Sequence, residues 1–202
     1  MRLAEEHQFD DLKLVSYLNL SASYGELSSP DNRLGAEEER NRYGLLAKQY
    51  MFRAARLAES IGDQRRAHRS YGNIGTYYTY EDQLDSAFYY IKKAISIGVE
   101  IDDKRGLVND YNMLSLIFRK QDQMDEAERE STRAMSYARE IDSEQMVADI
   151  LLTLGELSLE RDNTRQAKNQ LLDAKEIAKR LEIPKTAAHA LNLLSEIAIA
   201  EG

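Results

Sequence analysis

A period of 40 residues constrains the fold of this chain more than any other feature of its sequence. Small residues recur at this interval at Gly75, Ser115, Gly155 and Ser195. Alanines recur at Ala87, Ala127 and Ala167, and again at Ala94, Ala134 and Ala174. Large apolar residues recur at Tyr71, Tyr111, Leu151 and Leu191. Such a period is typical of repeat architectures, in which each unit buries its apolar face only against its neighbours. The sequence therefore predicts a solenoid.

Each period contains two predicted helices. Apolar residues at helical spacing predict pairs over 64–80 and 83–99, 104–120 and 123–140, and 144–160 and 164–181. Helices over 9–24 and 36–61 are predicted before these pairs, and one over 185–200 after them. Asp and Asn in the intervening turns are expected to cap the next helix, because their side chains accept hydrogen bonds from its free backbone N–H groups.

We interpret residues 1–202 as a single solenoid domain. Residues 1–7 are interpreted as a helix remnant, or alternatively as a short frayed terminus. Repeats are expected over about 8–62, 63–102, 103–142 and 143–183, with a half repeat over 184–202. The first repeat is longer because residues 25–35 insert turn formers between its helices, and this insertion is either a solvated loop or a functional one.

The small residues are expected where the two helices of a pair cross. Gly75 and its equivalents lie on the first helix, and Ala87 and its equivalents lie on the facing side of the second helix. Two helices approach closely only where a side chain at the crossing is small. Larger residues on either side then fill the core.

These positions resemble the tetratricopeptide repeat. The matching residues of the best repeat are Tyr71, Ile74-Gly75, Tyr78, Ala87, Ile91 and Ala94. The later repeats depart at Ser131, which stands at a bulky position, and at Ser158, which replaces an aromatic residue. The period is 40 rather than about 34 residues, which is similar to the lengthened variety found in kinesin light chains, Leu-Gly-Asn proteins and bacterial signalling proteins. The resemblance implies an all-α, right-handed superhelical solenoid of antiparallel helix pairs, whose first helices line a concave groove for a peptide or helix.

The repeat register then identifies the residues that face this groove. These candidates are Asn19, Arg69, Asn73, Thr76, Asn109, Asn112, Leu116, Arg119, Lys120, Thr153, Glu156, Glu160, His189, Asn192 and Glu196. Asn disfavours helices, and its amide offers both a donor and an acceptor to a peptide backbone. The groove is also expected to be graded in charge, with a basic middle and an acidic end that includes Asp149. The alternative is that these side chains form a solvated helix surface.

Composition narrows the function classes. The formal net charge of −8 argues against nucleic acid as the main partner, and the chain has no cysteine, which is compatible with a reducing, cytoplasmic location. No apolar run reaches the ~20 residues that span a membrane. His7, His68 and His189 have no metal-ligand spacing, and no glycine-rich phosphate loop is present. We therefore expect no enzyme activity and no cofactor.

Two function classes remain. The first is a non-catalytic scaffold for protein–protein interaction that holds a partner peptide in its groove. The second is a sensory or regulatory segment of a larger signalling protein, such as a kinase, cyclase or transcription regulator, and residues beyond Gly202 would distinguish them. Leu191, Leu194, Ile197 and Ile199 are expected to lack a partner helix. This expectation favours a longer protein, with homodimerisation through the terminal helices as the alternative.

Overall fold

The computed structural model describes residues 2–28 and 37–201, with side chains for 10–26, 37–39 and 41–201. This part of the chain forms nine α-helices and no strand. They are α1 (Arg2–Ser28), α2 (Glu37–Ser60), α3 (Gln64–Tyr80), α4 (Leu84–Glu100), α5 (Lys104–Lys120), α6 (Met124–Glu140), α7 (Glu144–Glu160), α8 (Thr164–Arg180) and α9 (Pro184–Glu201). The all-α solenoid expected from the repeat is therefore observed.

The first repeat differs from its predicted form. Residues 2–7 of the predicted 1–7 remnant are not separate, because α1 runs without a break from Arg2 to Ser28. No proline or glycine interrupts the chain before Gly25, so nothing in this stretch stops a helix. The same helix includes residues 25–28 of the predicted insertion, and its remaining residues lie outside the described part.

The helices form a stack of pairs. Each helix packs on the next one along the chain, and α3, α5, α7 and α9 also contact one another in that order. Among the described residues, the backbones of the second helices α2, α4, α6 and α8 stay apart, although side chains of α2 and α4 meet at Phe52–Tyr90 and Glu59–Lys93. The first helices therefore lie closer together, which places them on the inner side of the stack. We call their exposed surface the inner face.

Acidic residues in the left-handed conformation form six of the turns between helices. They recur every 20 residues at Asp82, Asp102, Asp122, Asp142, Asp162 and Glu182, with φ between 50° and 60°. Gly62 occupies the same place with φ 74°. In each turn the backbone N–H of the residue after the left-handed one donates a hydrogen bond to a carbonyl of the preceding helix, as in the 2.9 Å bond from Gln83 N–H to the Tyr78 carbonyl. Asp tolerates this conformation better than most residues, so these aspartates end helices.

The predicted capping role is correct at only some turns. Asp63 and Asp103 accept hydrogen bonds from Arg66 N–H and Gly106 N–H. Asn163 caps α8 through Gln166 N–H. In contrast, α4, α6 and α7 begin without a side-chain cap, because Gln83, Gln123 and Ser143 make no such bond. Asp82 and Asp122 were expected to cap and instead occupy the left-handed position one residue earlier.

The helix crossings depend on complementary pairs of residues 16 positions apart. A methyl group on Gly75 would lie 2.5 Å from Cδ1 of Ile91, and one on Gly155 would lie 2.7 Å from Cδ2 of Leu171. At the equivalent crossing the pair is Ser115 and Ser131, both fully buried. Ser131 Oγ donates to Ser115 Oγ over 2.7 Å, and Ser115 Oγ donates to the Ala127 carbonyl over 2.7 Å.

This exchange explains the weak match at Ser131. Two hydrogen-bonded serines replace glycine and a large residue, so neither hydroxyl is buried without a partner. The alanines expected at the crossings, Ala87, Ala127 and Ala167, are fully buried as predicted.

The last helix packs better than the sequence predicts. Ile197 is buried against Ala167 and Leu171 of α8, and Leu194 packs on the same cluster. Leu191 and Ile199 are 49% and 81% exposed. The expectation of an unpartnered apolar face is therefore wrong for Ile197 and Leu194, and it holds for Leu191 and Ile199.

Candidate peptide-binding groove

A cavity of about 450 Å³ opens on the inner face between α3 and α5. Five candidate residues from the sequence line it together: Arg69, Asn73, Thr76, Asn109 and Asn112. Arg69, Asn73 and Asn109 are exposed, whereas Thr76 and Asn112 are half-buried. The buried Oδ1 of Asn112 has no hydrogen-bond partner within the described protein. We call this cavity the α3–α5 groove.

The base of the α3–α5 groove contains a buried histidine between two carboxylates. His68 is 1% exposed, and its Nε2 lies 2.6 Å from Oδ2 of Asp110. Its Nδ1 lies 3.3 Å from Oδ2 of Asp103, without a well-directed hydrogen bond. Asp103 also caps α5 through Gly106 N–H. The network therefore joins α3 to the start of the next repeat.

Burial and charge act in opposite directions on this network. Burial alone lowers the pKa of His68, but the hydrogen bond and charge of Asp110, together with Asp103, outweigh it and raise the pKa. Burial raises the pKa of the Asp110 carboxyl, and the His68 charge acts against this rise. The two carboxylates that face its ring therefore favour the protonated form of His68 in the folded protein.

Three glycines make room for this network. A methyl group on Gly106 would overlap the His68 ring, and one on Gly98 would lie 2.8 Å from His68 Nε2. A methyl group on Gly72 would lie 2.8 Å from Oδ1 of Asp110. Glycine lowers helix propensity, so its presence in the middle of α3 and at the end of α4 has a steric reason here.

The groove charges do not form the gradient that the sequence suggested. Arg119 of α5 pairs with Glu156 and Glu160 of α7. Lys120 pairs with Asp82 over 2.9 Å. Arg119 of the basic middle is therefore neutralised by two carboxylates of the acidic end, since side chains about one period apart on neighbouring first helices come within ion-pair distance, and Lys120 is neutralised by a turn residue.

Further candidates are also joined across repeats. His189 Nε2 lies 3.2 Å from Oε1 of Glu156, and Asp149 accepts a hydrogen bond from Thr186 over 2.9 Å. Thr153 bonds to the Asp149 carbonyl of its own helix. His189 and Thr186 of α9 therefore bind side chains of α7, whereas Thr153 bonds within α7 itself.

The remaining candidates lie apart from the α3–α5 groove. Leu116 is half-buried on α5, and Asn192 and Glu196 are exposed on α9. Asn19 is exposed on α1, which packs on α2 and reaches α3 through the 2.8 Å ion pair of Asp11 with Arg66. Some of the candidates therefore line the α3–α5 groove, others are bonded to neighbouring side chains or to their own helix, and the rest are scattered over other helices.

Sequence reasoning missed His68 and Asp110. A usable signal was present, because Gly72, Gly98 and Gly106 stand inside or beside helices at positions where the repeat does not require glycine. It also missed an aromatic and basic cleft between α2 and α4, because the repeat register assigns the groove to the first helices only.

No helix in the described part of the chain is long and apolar enough to span a membrane. Within the same residues, no three His, Cys, Asp or Glu side chains are arranged to hold a metal ion.

Comparisons with known proteins support the fold. No protein-family model matches the sequence, and no curated protein matches it significantly. BtubC (BKLC) from P. vanneervenii, a solved structure, superposes with a TM-score of 0.52 at 16% identity, covering 95% of this chain and 92% of that one. The MamA RS-1 ArsTM double mutant gives a TM-score of 0.44 at 15% identity, covering 81% of this chain and 97% of that one. The first similarity is at the level of fold.

Proposed function

We propose that this chain is a non-catalytic scaffold that binds a peptide or helix of a partner protein in the α3–α5 groove. The observation that carries the proposal is the convergence of three asparagines, Asn73, Asn109 and Asn112, with Arg69 around one open cavity. We further propose that it is a cytoplasmic tetratricopeptide repeat protein of the lengthened variety. The 40-residue interval between the starts of α3, α5, α7 and α9 supports this assignment.

The groove has the chemistry that a peptide backbone requires. A peptide presents alternating N–H and C=O groups, and an Asn amide can bond to both at once. The unpaired Oδ1 of Asn112 offers an acceptor that is already removed from water. An unsatisfied buried acceptor destabilises the free protein by about 1–3 kcal/mol, so a ligand N–H that pairs with it gains affinity.

The side chains around the groove support a binding role. The titratable network at the base is buried beneath the asparagines, and the ion pairs of Arg119 hold α5 against α7. The groove walls are therefore fixed before a partner arrives, which lowers the entropic cost of association.

A pulldown with matched asparagine variants tests the proposal. Asn73→Ala/Asn112→Ala removes two amides from the groove, and Asn169→Ala removes an exposed amide from α8 as a control. Partners recovered by the wild type should be lost with the double variant and retained with Asn169→Ala. Equal recovery by all three proteins would refute the groove as the binding site. Circular dichroism should show unchanged helicity, since Asn112 Oδ1 makes no bond to lose.

A further inference from the structure

A second cleft lies on the outer side of the stack, between α2 and α4. It has a volume of about 750 Å³, and none of the groove candidates lines it. Its α2 wall contains Leu45, Lys48, Phe52, Arg56 and Glu59 at helical spacing. Its α4 wall contains Tyr89, Tyr90 and Lys93. We call it the outer cleft.

Aromatic rings form the floor of the outer cleft. Tyr90 stacks on Tyr71 and Tyr78 with centroids 6.1 Å and 5.7 Å apart, and Phe52 meets Tyr90 edge-on at 5.5 Å. These contacts fix the rings in place. Above this floor, Leu45 and Tyr89 are 62% and 60% exposed, so the rim adds apolar surface that nothing in the described chain covers.

The cleft walls are positively charged on a protein whose net charge is −8. Glu59 is neutralised by Lys93 Nζ at 2.7 Å, and its carboxylate also accepts a hydrogen bond from the Tyr71 hydroxyl at 2.7 Å. Burial alone lowers the pKa of Lys93, but its hydrogen bonds with Glu59 and Tyr71 outweigh burial and raise that pKa to about 12. In contrast, Lys48, Arg53 and Arg56 have no carboxylate partner among the described residues. Lys48 and Arg53 lie over the rings of Tyr78 and Tyr50, 4.8 Å and 5.4 Å from the centroids. All three cations therefore lack a carboxylate partner and can attract a negative ligand.

Charge complementarity and shape identify the ligand. The α2 wall runs from Leu45 to Glu59, which at 1.5 Å per residue is about 21 Å or four helical turns. A groove of this length between two helices suits a third helix that lays an apolar stripe on the floor. Cations at the rim select acidic residues beside that stripe and repel basic ones.

We propose that the outer cleft binds an acidic amphipathic helix of a partner protein, as an interaction surface separate from the α3–α5 groove. The apolar residues of that helix contact Phe52, Tyr89 and Tyr90, and its carboxylates contact Arg53 and Arg56. The chain then holds two partner segments on opposite sides of the same repeats. This arrangement suits a scaffold, because α2 and α4 form the walls of the outer cleft and α3 and α5 form those of the α3–α5 groove, with α3 reaching the cleft only through its floor residues.

Fluorescence anisotropy with designed peptides tests this proposal. The probe is a labelled Glu-rich peptide with Leu at the i, i+3, i+4, i+7 positions of a helix, and its control replaces Glu with Lys. The wild type should bind the Glu peptide and not the Lys peptide, with affinity that falls as salt increases. Arg56→Glu should weaken binding by about tenfold or more. Lys92→Glu, an exposed α4 change of equal charge outside the cleft, should leave it within about twofold.

Two tyrosine variants distinguish specific binding in the outer cleft from nonspecific attraction between charges. Tyr89→Ala should also weaken the Glu peptide by about tenfold, because it removes an exposed apolar contact. Tyr80→Ala, which changes a tyrosine that is more exposed (73%) and lies outside the cleft, should have no effect.

Several results would overturn the proposal. Binding that survives Arg56→Glu but is lost in Asn73→Ala/Asn112→Ala would place the peptide in the inner groove. Tighter binding of a single-stranded oligonucleotide than of the Glu peptide would assign the cleft to nucleic acid. Self-association in sedimentation that Arg56→Glu abolishes would assign it to a second copy of this chain. If the α3–α5 groove binds no partner, the expected binding of the Glu peptide and its loss in the outer-cleft variants stay the same.

Discussion

Replacing Ser115 and Ser131, the two residues at one helix crossing, tests whether the crossings depend on complementary pairs. The crossing of α5 and α6 holds Ser115 and Ser131, where the neighbouring pairs hold Gly75 with Ile91 and Gly155 with Leu171. We consider the single changes Ser115→Gly and Ser131→Ile, and the double change that combines them. The double change converts this crossing into the pair found between α3 and α4.

Each single change should destabilise the protein for a different reason. Ser115→Gly leaves the fully buried Ser131 hydroxyl unpaired, which costs about 1–3 kcal/mol, and adds a glycine to a helix interior. Ser131→Ile forces two extra heavy atoms against Ser115 Oγ and overpacks the crossing, which costs about 1–3 kcal/mol. Additive effects would therefore total about 3–6 kcal/mol.

The double variant should recover most of this loss. It removes both hydroxyls together and packs an isoleucine over a glycine, and burying that side chain gains about 1.5–3 kcal/mol. We expect a coupling free energy of at least about 2 kcal/mol between the two sites. A Gly–Ile pair already fits the equivalent space at Gly75 and Ile91.

Urea unfolding followed by circular dichroism measures the four free energies of this cycle. Because repeat stacks can unfold in steps, amide exchange within α5 and α6 should report the same ranking locally. If the single variants are as stable as the wild type, or if the double variant loses the sum of both effects, then Ser115 and Ser131 do not share a crossing.

Three further predictions concern the turns and the buried histidine. The unfolding free energy should fall as pH rises from 6.5 through the raised pKa of His68, because folding stabilises the protonated ring. This pH dependence should vanish in His68→Asn. A wild-type unfolding free energy that stays constant between acidic and alkaline pH would contradict the prediction. Gly106→Ala should destabilise by about 1–3 kcal/mol in thermal or urea unfolding although alanine favours helices, so a gain in stability would place the His68 ring elsewhere. Asp122→Gly should stabilise by up to about 1 kcal/mol, because glycine relieves a φ of 60°; destabilisation in the same assay would contradict the left-handed turn.

The sequence predicts the helices and their order well because the repeat pattern is local. The start of every helix from α3 to α8 follows within one residue of its prediction, and the alanines at the crossings are buried. The conformation of the turns is harder to predict than the helices, because Asp is compatible with both an N-cap and a left-handed residue. Only the backbone angle at Asp82 and its equivalents distinguishes the two roles.

The groove was predictable in outline but not in its charges. Register places Arg69, Asn73 and Asn109 on one face, and the structure shows them around one cavity. Register cannot tell whether Arg119 faces a ligand or the neighbouring repeat, because that depends on side-chain reach between α5 and α7. The pairing of His68 with Asp110 depends in the same way on contacts 42 residues apart in the chain.

Site-specific photocrosslinking tests the central proposal, a partner segment in the α3–α5 groove, most directly. A photoreactive amino acid replaces Asn109, which is exposed on the groove wall, or Asn169, which is exposed on α8, in the full chain. We expect a partner protein to be crosslinked from position 109 and not from 169. The crosslink should disappear when Asn73→Ala/Asn112→Ala is added. Equal crosslinking from both positions, or a crosslink that survives the double change, would contradict binding in the groove.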